Sequence, residues 1–375
     1  MADTISTLPD ELLCHILSFL QTKHAVATSV LSKRWNPLWR SIPILDFNDD
    51  NVKDEKGIAR FVEFVDYVLH ARDAKQAIES FHFMTRSALF DVSSVEKLVN
   101  LAMESRVAHL DLCVGKDDEI PILPFSVLSC NTLVVLDVCG FRVPEFSSIE
   151  LRSLKTLRLE AVHFESFRSF MDFLAGCPNL EDFEAEYVIY DSEDDYRDYG
   201  DIKSSTLNKL MKASIFDCDI PFPPKIFHNV EFLCMEIPKE HRCYSHFPTF
   251  YNLTCMELFF LDHNWDLLVE LLKHTPKLQN LSLDVFEDDE DGRISVNDKQ
   301  KSWTEPECVP ECLSSHLRTC TLGNFVGLQR ELDLARYITK NARVLQSIKI
   351  CTRGKWKVFE NSSSCPLKDM ELCIN

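Results

Sequence analysis

Cys308, Cys312, His316 and Cys320 stand at four-residue intervals, and thiolate and imidazole are the side chains that hold zinc. On a helix that interval would bring the four to one face, but Pro306 and Pro310 disfavour a helix there. The set lacks a C-x-x-C pair, and no metal centre is expected from it. A second cluster, Glu287 to Asp298, imitates a calcium loop, with acids at positions 1, 3 and 5 and Gly292 at position 6. Position 12 is Asp298, where such a loop uses a bidentate Glu, so a solvated insertion is the expectation. His109, His163 and His274 lie beside apolar strand patterns and read as surface or second-layer residues. Nothing suggests a nucleophile–His–acid arrangement. The nine glycines include no pair at dinucleotide-binding spacing, and G-x-x-x-x-G-K-[ST], H-E-x-x-H and G-x-S-x-G are all absent. No catalytic, cofactor-binding or metal residue is assigned, and the chain reads as a non-enzyme.

Its 375 residues are 45% hydrophobic and 26% charged, an ordinary globular mixture with ample core material. Asp plus Glu (59) outnumber Lys plus Arg (40), leaving a net charge of −19 that would repel phosphate backbones. A nucleic-acid partner is therefore not expected. Nor is a membrane: the apolar run Leu12–Leu20 reaches about half the ~20 residues that a span needs. That run follows Asp3, Asp10 and Glu11 rather than a basic stretch, so it does not read as a signal peptide. A cytoplasmic and/or nuclear location follows, in which the fifteen cysteines stay reduced.

Two kinds of element must carry any function. In residues 1–45, Pro9 opens a helix whose apolar residues Leu12, Leu13, Ile16, Leu17 and Leu20 recur at helical spacing. Thr22 is placed to cap a second helix and Ser32 a third, the latter bearing Trp35, Leu38 and Trp39. Three short helices cannot bury this many Leu and Trp among themselves, so some of the surface should await a partner. Residues 46–56 are polar and mostly acidic and read as a linker.

From there an apolar-x-x-apolar-x-apolar hexad recurs to the end of the chain. It appears as Val107-A-H-L-D-L, Leu133-V-V-L-D-V, Leu154-K-T-L-R-L, Leu180-E-D-F-E-A and Val230-E-F-L-C-M. It continues as Leu253-T-C-M-E-L, Leu278-Q-N-L-S-L, Leu317-R-T-C-T-L, Leu345-Q-S-I-K-I and Leu367-K-D-M-E-L. A period in the twenties with L-x-x-L-x-L is the signature of leucine-rich repeats, in which short strands stack because none can bury its apolar face alone. Cys320 falls on an inward position of its hexad, where a small hydrophobe belongs. Amphipathic stretches between hexads should cover the other side: Phe167, Phe170, Phe173 and Leu174; Trp265, Leu268, Leu271 and Leu272; Leu332, Ala335 and Ile338. The fold expected is α+β: a three-helix N-terminus followed by an irregular α/β leucine-rich-repeat solenoid.

Leu8-P-D-E-L-L-C-H-I-L-S-F-L with Ala25-V-A-T-S-V-L-S-K-R-W-N-P-L-W resembles the F-box, especially its plant form. Trp303-T-E-P-E-C-V-P-E-C-L, Glu331, Tyr337-I-T-K-N-A and Leu345-Q-S-I-K-I resemble the FBD domain. With hexads between them, nearly the whole chain resembles plant F-box/FBD/leucine-rich-repeat proteins. Gln21 departs from a common proline and His24 from a frequent acid, and neither removes an apolar residue. The domains expected are an F-box at 1–45, an acidic linker at 46–56, repeats at 57–301 and an FBD domain at 302–375. The resemblance implies a substrate-receptor subunit of an SCF-type ubiquitin ligase. Its F-box would dock a Skp-type adaptor, and through it a cullin, by way of Leu8, Pro9, Leu12, Ile16, Leu17, Val30, Leu31 and Trp35. Leu13, Leu20 and Trp39 would hold the helices together. The repeats would bind a protein target. The alternative is a repeat scaffold that binds a partner without any ligase.

Overall fold

The computed structural model describes residues 5–49, 52, 54–72, 76–87, 90–115, 120–146, 149–191, 207–216, 218, 224–237, 248–260, 265–285, 303, 305–325, 327–352 and 370–374. They fall into two compact units, 1–207 and 208–375.

The first unit begins with helices α1 (Asp10–Leu17) and α2 (Thr22–Ala27). Pro9 stands at the start of α1 as expected, its carbonyl accepting from Leu13 N at 3.1 Å. Thr22 does not cap α2: it is buried, and its hydroxyl accepts from Asp46 N at 2.8 Å. The third helix expected after Ser32 is replaced by turns and a short 3-10 helix at Leu38–Ser41. Pro37 explains this, since it lacks the amide that an α-helix would use there.

Strand β1 (Ile44–Asn48) follows at once, so the acidic stretch expected as a linker from residue 46 opens inside the sheet. Two of its acids have structural roles. Asp49 is buried, accepting from Thr85 Oγ1 at 2.5 Å and Arg86 N at 3.2 Å. Asp54 caps helix α3 (Glu55–Ala71), accepting from Gly57 N at 2.7 Å. The N-terminal helices pack against this first repeat: Trp39 meets Tyr67 of α3 at 6.1 Å, and Arg72 Nη1 donates to Ile42 O at 2.5 Å.

The unit continues through β2 (Ser80–Thr85), α4 (Val92–Met103), β3 (His109–Val114), α5 (Phe125–Leu128), β4 (Val135–Cys139) and β5 (Arg142–Val143). Then come β6 (Thr156–Glu160), β7 (His163–Phe164), α6 (Phe167–Ala175), β8 (Asp182–Glu186) and β9 (Ile189–Tyr190). Strands β1-β2-β3-β4-β6-β8 pair in parallel in that order, and β5-β7-β9 form a small second parallel sheet. Every hexad in this unit places its strand two residues after its start, and the register aligns like positions. Leu45, Phe81, Leu110, Leu136, Leu157 and Phe183 make one buried row; Phe47, Phe83, Leu112, Val138, Leu159 and Ala185 make the other. Burying each Leu, Val or Phe of these rows contributes about 1.5–3 kcal/mol. Gly140 turns the chain between β4 and β5 at φ +76°, where a Cβ would lie 1.9 Å from Val114 O. Only glycine fits that approach.

The second unit holds β10 (Lys212–Phe216), β11 (Phe232–Ile237), β12 (Cys255–Phe260), α7 (Trp265–Lys273) and β13 (Asn280–Val285). It ends with α8 (Glu311–Ser315), β14 (Thr319–Phe325), α9 (Gln329–Asn341), β15 (Ser347–Thr352) and β16 (Met370–Ile374). Its strands also pair in parallel in sequence order. The expected cover residues of α6 and α7 are buried. In α9 the register differs: Leu332 is exposed, and Leu334, Ala335, Tyr337 and Ile338 face inward. Three strands come from hexads that the search for leucines passes over: Ile42-P-I-L-D-F, Ile78-E-S-F-H-F and Leu210-M-K-A-S-I. Their inward pairs are Leu45 with Phe47, Phe81 with Phe83, and Ala213 with Ile215, so none ends in L-x-L.

Candidate protein-interaction site

Helix α1 is apolar on two sides. Leu13 and Leu17 (1% exposed) turn inward, while Leu12 (49%) and Ile16 (44%) face solvent. Val30 (85%) and Leu31 (64%) are exposed at the end of the second helical segment. Arg34 holds the turn after Leu31 against the start of α1, its Nε and Nη2 donating to Asp10 Oδ1 at 3.0 and 2.7 Å and Nη2 also to Leu8 O. Leu8 is half-buried and Pro9 exposed. Six of the eight residues expected at an adaptor interface are thus accessible. Leu17 and Trp35 are not: both lie in the core, where they support the helices from within. Leu13 and Trp39 are buried as expected, whereas Leu20 is exposed, as are Ile5 and Phe19. Spacing alone could not separate these residues, because Leu12, Ile16, Leu13 and Leu17 form one continuous apolar arc of α1 opposite Glu11 and His15.

The outward positions of the strands form a second surface. In the first unit the register lines up Asp46, His82, Asp111, Asp137, Arg158 and Glu184. His82 Nδ1 lies 3.1 Å from Asp111 Oδ2, and its Nε2 lies 2.7 Å from Ser80 Oγ. The bond to Asp111 raises the imidazole's pKa, and the nearby Asp46 and Asp137 charges add to that rise. Desolvation, with Asp111 next to it, lifts Asp137 to about 6 despite Arg158 at 3.8 Å. Arg158 Nε also donates to Glu184 Oε2 at 3.2 Å. In the second unit the outward face is more aromatic: Phe216 and Phe259 meet edge-to-face at 5.2 Å, and at the other end of the strands Phe232 pairs with Cys255, both half-exposed.

The cysteine–histidine set does not converge as a ligand shell. Cys308 is exposed and His316 half-buried, whereas Cys312 and Cys320 are buried, with their thiols pushed up to about 11 and about 12 by desolvation. Cys312 Sγ donates instead to Leu272 O at 3.4 Å, and Cys320 stands in the buried ladder between Leu281 and Ile348. Among the described residues no group of three His, Cys, Asp or Glu side chains is placed to hold a metal. The calcium-like stretch Glu287 to Asp298 lies outside the described residues. No described helix is long and apolar enough to cross a membrane.

Family models match three parts of the chain: F-box domain at residues 5–47, Leucine Rich Repeat at 153–178 and FBD at 305–350. An F-box/FBD/LRR-repeat protein of Arabidopsis thaliana is 32% identical over 93% of this chain and 86% of its own length. The chain belongs to the F-box/FBD/LRR-repeat family. A second Arabidopsis F-box/FBD/LRR-repeat protein is 29% identical across 100% of the chain and 90% of its own length. An FBD-associated F-box protein of the same plant is 30% identical over 92% of the chain and 89% of its own length. The F-box match runs past the helices to residue 47, which places most of β1 inside it and agrees with the packing of α2 on the first strand. The FBD match covers α8, β14, α9 and most of β15, so this segment contributes further strands and cover helices of the repeat pattern.

Proposed function

We propose that this F-box protein is the substrate-receptor subunit of an SCF-type ubiquitin ligase. The observation that carries the reading is the exposed apolar set Leu12, Ile16, Val30 and Leu31, with Leu8 and Pro9 beside it, in the stretch matched by the F-box domain. A folded chain that leaves such residues in water gains by covering them with a partner. The partner is a Skp-type adaptor, which brings a cullin. Leu17 and Trp35 act indirectly, by holding the helices that carry the contact residues. The strands stack in each unit as turns of a leucine-rich-repeat solenoid that ends in the FBD segment, and their outward faces take the protein target. The receptor needs no catalytic side chain: holding the target near a ubiquitin-charged enzyme raises its effective concentration.

Co-precipitation from plant cells tests this. Wild-type chain should recover adaptor and cullin, and Leu12→Asp with Leu31→Asp should lose both, at least thirtyfold in adaptor affinity, as expected for central anchors worth about 2 kcal/mol or more. Leu8→Ala with Pro9→Ala should act in the same direction. If the double Asp variant keeps wild-type adaptor binding, or the wild type recovers no adaptor or cullin above an unrelated control, the ligase reading fails. A target still captured by the repeats would then leave an interaction scaffold.

A further inference from the structure

The third outward row of the first unit's sheet contains Met84, Cys113, Cys139 and Glu160 on successive strands. Cys113 of β3 and Cys139 of β4 are direct partners in the parallel register, and both thiols are partly exposed. Paired residues on neighbouring strands stand about 4.8 Å apart at Cα, within the window of about 4.4–6.8 Å that disulfides span. Their side chains leave the same face of the sheet, so the two thiols are presented to each other. We propose that Cys113 and Cys139 form a vicinal dithiol that a peroxide converts reversibly to a cross-strand disulfide.

The local chemistry supports a division of labour. Cys139 stabilises the Cys113 thiolate through a side-chain hydrogen bond, which lowers the pKa of Cys113 and raises that of Cys139. Cys113 is the attacking thiolate. It takes one oxygen of the peroxide, the O–O bond breaks, and Cys113 becomes a sulfenic acid as the first water leaves. The Cys139 sulfur then attacks the Cys113 sulfur, the S–O bond breaks, and a second water leaves. Two thiols lose two protons and two electrons, and the peroxide receives them. A small thiol such as glutathione reverses the step by exchange. Elsewhere the described thiols differ: Cys177 and Cys320 are buried, and desolvation pushes each up to about 12. Such thiols stay neutral and inert. Because the pair lies on the outward face, its oxidation would alter a surface offered to partners while leaving the buried leucine rows intact.

The test uses the full chain. Purified reduced protein is treated with hydrogen peroxide, blocked with N-ethylmaleimide and mapped by non-reducing peptide mass spectrometry. Mapping is needed because the register also pairs Cys351 with Cys373. The expected product is a peptide cross-link between Cys113 and Cys139 that has lost two hydrogens and is restored by dithiothreitol. In Cys139→Ser, Cys113 should instead accumulate as a dimedone-reactive sulfenic acid. In Cys113→Ser, oxidation at Cys139 should slow at least tenfold. Under reducing conditions wild-type protein should also bind phenylarsine oxide at this pair, and either serine variant should lose that binding. If Cys113 and Cys139 remain separately alkylated after peroxide, or go to sulfinic acid without a cross-link, the proposal is overturned.

Discussion

In strand β6, Leu157 and Leu159 are buried and Arg158 between them is exposed; in helix α1, Leu13 and Leu17 are buried while Leu12 and Ile16 face water. The two regions have similar apolar content and opposite outcomes. A strand between two neighbours has one inward face, and in the first unit its alternation hides every apolar position of a hexad. A two-turn helix with a wide apolar arc can bury only one side of that arc against its neighbours. The other side is surplus to folding, which is why it is available for a partner. A strongly apolar residue in this protein is therefore structural by default in the repeats, whereas in the first 42 residues its role depends on which way it points.

The comparison breaks first, and most severely, in the repeats. Leu157→Asp and Leu281→Asp put a charge into the buried rows and should each cost several kcal/mol, about 3–5. Arg158→Ala and Ser282→Ala, one residue outward, should cost under about 0.5 kcal/mol. Chemical denaturation of the four proteins decides this, and equal effects at both kinds of position would refute the inward–outward register.

Within the F-box the same contrast should separate stability from binding. Leu17→Ala and Trp35→Ala remove buried side chains and should destabilise by about 2–5 kcal/mol. Leu12→Ala and Leu31→Ala should change stability by less than about 0.5 kcal/mol while weakening adaptor binding. Melting curves and adaptor titrations on each variant sharpen the division, and a large loss of stability at Leu12 or Leu31 would put those residues in the core instead.

A smaller effect concerns the charged outward row. Asp137 is lifted to about 6, above its unfolded value, so its protonated form favours the folded state. That contribution is fully present below the ordinary carboxylate pKa of about 3.9 and is lost as pH rises through about 6. His82, raised by Asp111, adds in the same sense: its contribution is present below about 6.5 and lost as pH rises through its folded pKa. Asp137→Asn should stabilise the protein at pH 7 and flatten the fall in melting temperature between acid and neutral pH. Parallel curves for variant and wild type would exclude Asp137 as a source of that fall. The smallest effect is expected from chelators: neither EDTA nor a zinc-selective chelator should shift the melting temperature, and a fall of several degrees with one metal per chain would overturn the reading of Cys308 to Cys320.

The alternation of Leu154-K-T-L-R-L and its counterparts determined that stacked strands would form and which of their residues would be buried, except in β11, where Cys234 is buried and Met235 half-exposed. A period of two leaves one solution once neighbours cover both edges. The same pattern put Cys320 in the core, ahead of any metal. The hexads at Ile42, Ile78 and Leu210 end in L-x-F, F-x-F and A-x-I rather than L-x-L, so sequence alone draws the linker across β1. Tertiary structure alone decided the rest. Asp49 became a buried acceptor because Thr85 and Arg86 N arrive from the next repeat, more than thirty residues away in the chain. Leu17 and Trp35 went inward, and Leu12, Ile16 and Leu31 outward, because the 3-10 helix at Leu38–Ser41 packs on one side of α1, where Cys14 Sγ donates to Leu38 O at 3.5 Å, and not on the other. Helical spacing names the members of an apolar surface; the direction each one faces is fixed by whatever packs against it.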